Sequence, residues 1–200
     1  HDSSDEGEAT GGEAPPATGF SFELRNVSFR YALHDPRFTL KDLSLTIPAG
    51  KTTAVVGASG SGKSTLIKLL LGYYQPEEGE ITLGSRNLAD YDIDALRRRC
   101  GVVMQGGVIF SDSIERNIAC DDEEPDQDRL REAMHIACLD SYIASLPLGL
   151  NTKIGAEGTG LSQGQRQRIL IARAIYRNPD VLMLDEATNS LDAFNERVIT

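Results

Sequence analysis

Two short stretches hold residues whose types and spacing could do chemistry. The first, GASGSGKST from Gly57 to Thr65, fits the pattern G-x-x-x-x-G-K-[ST]. Its glycines let the backbone curl so that several amide N–H groups point at one phosphate chain, and the helix that follows offers the positive end of its dipole to the same anion. Gly57, Ser59, Gly60, Ser61, Gly62, Lys63, Ser64 and Thr65 are therefore the candidates for holding a nucleotide triphosphate. Lys63 would reach the β- and γ-phosphates, and Ser64 would give its hydroxyl to Mg2+. The second stretch, VLMLDEATNSLD from Val181, runs apolar residues straight into Asp185 and Glu186. An isolated charge in an apolar interior costs several kcal/mol or more unless it is paired or bound to a metal. A hard cation with oxygen ligands, held beside the triphosphate, is such a partner. Asp185 would bind Mg2+ directly or through water, and Glu186 would face the γ-phosphate and orient or deprotonate the attacking water. The plainer alternative for either acid is to cap the helix that follows.

These residues need elements to position them. TTAVVG, just before the glycine loop, reads as a strand buried on both faces, as in a parallel sheet, and STLIKLLLG after it reads as a helix ending on Gly72. Upstream, FSFELRNVSFRY and FTLKDLSLTI alternate apolar and polar residues with the period of half-exposed strands, and PAG reads as a turn. Downstream, GEITLG predicts a strand, DIDALRRR a short helix with acid at its start and arginine at its end, and GVVMQ a buried strand. In DQDRLREAMHIAC, Leu130, Ala133, Met134 and Ala137 share one helical face. SQGQRQRILIARAIYRNPD predicts a helix capped by Ser162, with Ile169, Ala172 and Ile175 on one face and Pro179 beyond its end. Residues 106–177 thus read as mostly helical, flanked by sheet, with Val181 to Leu184 as another buried strand.

The bulk numbers agree with one principal domain. The chain has 200 residues, of which 40% are apolar, enough for one good core. A formal charge of −10 argues against a dedicated nucleic-acid binder, whose footprint would be a basic stripe. Cys100, Cys120 and Cys138 are odd in number and lack C-x-x-C spacing, which indicates neither a disulfide framework nor a zinc site and favours a reducing compartment. No apolar run approaches the ~18 residues that span a bilayer, so the chain reads as soluble. Residues 1–19 have the acidic, Gly/Ser/Pro-rich composition of a disordered linker, and the folded domain is expected over 20–200. The acidic run Asp121 to Asp128 reads as a solvated loop and helix start. The chain begins at His1 without a methionine and stops at Thr200 inside what reads as a helix, so it is expected to be a C-terminally truncated fragment.

With LSQGQRQRILIARA joining the two chemical motifs, residues 20–200 resemble the nucleotide-binding domain of ATP-binding cassette (ABC) transporters. The resemblance implies an α/β fold: a P-loop NTPase, RecA-like core sheet with an antiparallel β subdomain and a helical subdomain over about 106–177. It implies ATP and Mg2+ as cofactors and ATP hydrolysis as the activity. Catalysis would rest on Glu186, Lys63 and Gln105, with Ser64, Gln105 and Asp185 toward the metal. Tyr31 in VSFRY is similar to the aromatic that stacks on adenine, although packing on a strand would also explain it. Gln105 in VVMQ is similar to the glutamine that contacts Mg2+ and senses the membrane domain, or is a plain strand-end polar residue. LSQGQ, Leu161 to Gln165, is similar to the signature usually written LSGGQ. There Ser162, Gly164 and Gln165 would meet the γ-phosphate of ATP held by a second copy, in a head-to-tail dimer expected to be a homodimer. Gln163 replaces the usual glycine, and its side chain could crowd the phosphate or point away. SLD, Ser190 to Asp192, resembles the loop that signals across that dimer.

GVIFSDSIERNIA and IASLPLGLNTKIGAEGTGLSQGQ are similar to the exporter branch, and LSQGQRQRILIARAIYRNPDVLMLDEATNSLDA, Leu161 to Ala193, is most similar to bacterial exporters that secrete peptides. GAEG, Gly155 to Gly158, departs from the Gly-Glu-Arg-Gly segment common in exporters. The implied setting is the cytoplasmic face of the bacterial inner membrane, with a membrane-spanning domain as partner and no nucleic acid. His1, His34 and His135 all come too early to be the family's switch histidine, and the latter two read as surface or helix residues. Rival readings with the same catalytic residues are a soluble ABC ATPase acting on ribosomes or DNA, and a non-catalytic nucleotide-binding module. Small-molecule kinases share the glycine loop but have no use for LSQGQ.

Overall fold

In the computed structural model of the chain, which describes residues 12–16, 19–50, 62–103 and 106–185, strand β1 (Phe22–Phe29) is the centre of an antiparallel sheet. Phe22, Leu24, Val27 and Phe29 are buried, so the alternation slips once, between Arg25 and Val27. Asn26 absorbs the slip at φ +49°, and the register to both neighbours shifts there, as in a β-bulge. Gly79 lies against this bulge; a Cβ there would stand 2.3 Å from the carbonyl oxygens of Arg25 and Asn26, so the close approach requires glycine. Strands β2 (Leu40–Ile47) and β3 (Glu78–Leu83) flank β1, and β4 (Arg86–Asn87) completes the order β2-β1-β3-β4.

Helix α1 (Lys63–Leu70) buries Thr65, Leu66, Ile67, Leu69 and Leu70. It stops where expected. Gly72 takes φ +72°, its N–H donates to Leu69 O and the Tyr73 N–H donates to Lys68 O, the paired bonds of a Schellman motif. Helix α2 (Ile93–Arg98) starts on Asp92, whose Oδ1 accepts from the Asp94 and Ala95 amides. The chain divides into two compact units, His1–Lys51 with Thr65–Arg98 as the first and Thr52–Ser64 with Arg99–Thr200 as the second.

In the second unit β5 (Cys100–Val103) pairs in parallel with β8 (Val181–Leu184), from Cys100↔Val181 to Val103↔Leu184. Both segments are strands, as expected, but Val102, Val181, Leu182 and Leu184 keep partial exposure. A cavity of about 320 Å³ runs along β5, lined by Cys100, Val102, Phe110 and Leu170 among others. Residues 106–177 fold mainly as helices α3 (Ile114–Ile118), α4 (Gln127–Ile136), α5 (Asp140–Ser145) and α6 (Gln163–Tyr176). A short antiparallel pair, β6 (Asp112–Ser113) with β7 (Lys153–Ile154), sits among them. Ile114, Leu130, Leu139, Ile154 and Ile169 are wholly buried in one core with Ala133, Met134 and Ala137, as the periodicity of α4 predicts. The buried side of α6 is broader than Ile169 and Ala172 alone: Leu170, Ile171, Ala174 and Tyr176 join them, while Ile175 is only partly buried. Asp126 in the acidic run caps α4 by accepting from the Asp128 and Arg129 amides.

Within the stretch read as a disordered linker, Glu13 forms a parallel bridge with Tyr91. His34 and His135 are exposed, as expected, and His135 shares a hydrogen bond with Asp140. Cys100, Cys120 and Cys138 form no disulfide, and each is partly buried. Among the described residues no helix is long and apolar enough to cross a membrane.

Candidate nucleotide site

Gly62, buried with φ +94°, turns the chain into Lys63, the first residue of α1. The Ser64 hydroxyl, one residue on, donates to Asp185 Oδ2 at 2.5 Å. Asp185 is held there by its own backbone. Its N–H donates to Val103 O at 2.8 Å, carrying the β5–β8 ladder one residue past Leu184 and so placing the carboxylate at the strand end. A hydroxyl and a carboxylate side by side are hard oxygen donors, which fits Mg2+. Among the described residues no group of three or more His, Cys, Asp or Glu gathers. Gly57, Ser59, Gly60, Ser61, Gln105, Glu186, the TTAVVG strand and Ser190 to Asp192 lie outside the described residues.

Tyr31 is 52% exposed, and its position is fixed from several sides. Its hydroxyl shares a 2.8 Å hydrogen bond with Thr65 Oγ1. Its ring meets Phe29 at 5.0 Å and Tyr74 at 5.3 Å, both near perpendicular, and the Lys68 ammonium stands 5.9 Å from its centroid. An anchored yet exposed aromatic is what a stacking platform needs. Sequence reading did not single out Phe29 or Tyr74; for Phe29 the F-x-Y spacing to Tyr31 was the available signal, and Tyr74 had none.

At the start of α6, Ser162 Oγ accepts from the Gln165 N–H at 3.1 Å while Gln165 Oε1 accepts from the Ser162 N–H at 2.9 Å. This reciprocal capping box gives Gln165 a structural task and leaves the Ser162 hydroxyl proton available. A Cβ on Gly164 would meet nothing within 4 Å, so the chain's own packing does not explain the glycine. Gln163 is exposed.

The body of α6 grips the segment after Gln105. Arg166 donates to Gly107 O. Arg173 donates to Val108 O at 2.8 Å and Asn117 O at 2.7 Å, and lies 5.0 Å over the Phe110 ring. Asn117, completely buried, accepts from the Phe110 N–H at 2.8 Å and donates to the carbonyls of Phe110 and Ser113 at 3.0 Å each. Gly155 and Gly158 of GAEG are both required by close backbone approach: a Cβ would stand 2.9 Å from Phe110 O and 2.4 Å from Lys153 O, respectively. Ala156 and Glu157 between them are exposed. Sequence reading did not single out Asn117, Arg166 or Arg173, because a lone amide or a helical arginine carries no spacing pattern.

A family model described as ABC transporter matches residues 40–189. The ATP-dependent lipid A-core flippase of Haemophilus influenzae (strain 86-028NP) is 45% identical over 94% of the chain. ABC transporter B family member 14 of Arabidopsis thaliana is 45% identical over 88% of it. A solved structure of a bacterial Atm1-family ABC exporter with ATP bound superposes with TM-score 0.80 at 36% identity, covering 96% of the chain. The chain spans 32%, 14% and 33% of these three proteins. None of the three is named for peptide secretion, and the narrower likeness to peptide exporters has no support in them.

Proposed function

The chain belongs to the ABC transporter family, and on that premise we propose that it is the ATP-binding and ATP-hydrolysing motor domain of an exporter, working at the cytoplasmic side of a membrane. The fold is that of the family, a P-loop NTPase of mixed α/β structure with an antiparallel sheet. We read 20–200 as the cassette, with its helical subdomain over about 106–177. The observation that carries the reading is the Ser64–Asp185 contact, which joins the last part of the glycine-loop motif to the acid at the end of β8.

In this reading Lys63 and the amides of 57–62 bind the triphosphate, and Tyr31 takes the adenine on its exposed face. Ser64, Asp185 and Gln105 hold Mg2+, which when bound neutralises charge on the β- and γ-phosphates. Glu186 orients the water that attacks the γ-phosphorus and accepts its proton. The Ser162 hydroxyl and the bare backbone at Gly164, at the start of α6, form an anion receptor for ATP held by a second copy. The open space at Gly164 supports that assignment. Gln165 then acts through the cap rather than by touching phosphate. The segment from Gly107 to Asn117, lashed to α6 by Arg166 and Arg173, passes the motion of the dimer to a membrane-spanning domain.

The test is Glu186→Gln in the assembled transporter. ATP binding should be retained while steady-state phosphate release falls ~10²–10⁴-fold, the usual worth of a general base. Near-normal turnover by the variant would reject the assignment of Glu186 as base.

A further inference from the structure

Glu13 commits its whole backbone to the stretch between β4 and α2. Its N–H donates to Asp90 O at 2.9 Å, and its C=O accepts from the Asp92 N–H at 2.7 Å. Its carboxylate accepts from the Arg86 guanidinium on β4. Gly12 lies so close to the same stretch that a Cβ would stand 2.5 Å from both Asp92 N and Tyr91 C, so only glycine can occupy that place. The receiving surface is prebuilt. Tyr91 is buried and its hydroxyl donates to Leu83 O at 2.6 Å, while Asn87 caps the 3-10 turn Leu88–Asp90 by accepting from the Ala89 N–H. After Glu13 and Ala14, Pro15 and Pro16 have fixed φ, which stiffens the exit from the bridge. Only Ala17, Thr18 and Gly19 then separate this docked segment from buried Phe20.

We propose that Gly12–Pro16 is a reversible strap that docks by strand addition on Asp90–Asp92, with Glu13 as its anchor and Arg86 as its receptor. Pairing through one residue's backbone supplies the register, and the ion pair selects the acid. The strap is reversible because its anchoring ion pair joins side chains that are 54% and 55% exposed, a type of contact that is weak and screened by salt. Its consequence is mechanical: a pull on the chain ahead of Gly12 reaches β4 and the start of α2 as well as β1.

Amide hydrogen exchange on the chain itself reads the strap, because the Asp92 N–H is protected through Glu13. In Gly12→Val the Asp92 amide should exchange at least about tenfold faster while the Leu24 amide of central strand β1 keeps its rate. Arg86→Glu should speed Asp92 by about threefold, in keeping with an exposed pair, and adding Glu13→Arg should restore the slow rate. An Asp92 rate unchanged in both single variants, no rescue by the charge swap, or equal acceleration of Leu24 would overturn the proposal.

Discussion

Single residues in this chain matter through what they hold. Asn117 shows it best: one buried amide ties Phe110 and Ser113 and accepts from Arg173 at 3.2 Å, so the loop after Gln105 is organised from a point on α3. Asn117→Ala would leave the Phe110 N–H and its carbonyl partners unpaired in the interior, and each such group costs about 1–3 kcal/mol. We expect urea unfolding to show a loss of at least about 2 kcal/mol, and a loss under about 0.5 kcal/mol would contradict the assignment. Cys100 is a second case. Burial, with the Asp180 carboxylate adding to it and Arg99 opposing, pushes its thiol up to about 11 from 9.0. The folded state therefore keeps its proton to higher pH than the unfolded chain. The contribution is fully present below pH 9 and is lost as pH rises to about 11. Unfolding free energy should fall more steeply across that window in the native chain than in Cys100→Ala, and parallel curves would count against it.

At the scale of elements, what could be read from sequence was whatever repeats or caps. The face of α4, the Ser162 cap of α6 and the Gly72 stop of α1 all follow from local rules that need no partner. What escaped depended on distant backbone. The bulge at Asn26 is stabilised by Gly79 across the sheet, and β6–β7 is too short to show a period. Glu13 pairs with a turn 78 positions away by number, through backbone groups that have no letter in the sequence. The end of α4 was also unread. Cys138 sits at φ +60°, with its N–H donating to His135 O and the Leu139 N–H to Met134 O, a Schellman ending with cysteine where glycine is usual. Cys138→Gly removes the strain of a side chain in that conformation and should stabilise the domain by about 0.5–1 kcal/mol. A melting temperature that drops in this variant would show that the cysteine's packing outweighs its backbone strain.

For the whole molecule, the family and the order of its motifs were legible, because GASGSGKST, LSQGQ and VLMLDE each fix chemistry at a known spacing. The site was legible less evenly. Ser64 and Asp185 meet, and Tyr31 is anchored by Thr65. The role of Gln165 as half of a cap, and the arginine straps from α6, emerged only from the fold. The central claim is that the glycine loop, Lys63, Ser64 and Asp185 together seat MgATP. Equilibrium titration of the chain with labelled ATP, with and without Mg2+, tests it most directly. Saturable binding that needs Mg2+ and weakens at least about tenfold in Lys63→Ala, a loss of roughly 1.4 kcal/mol, is the result expected. A folded sample that takes up no ATP, or takes it up equally well with Lys63 replaced, would contradict the account.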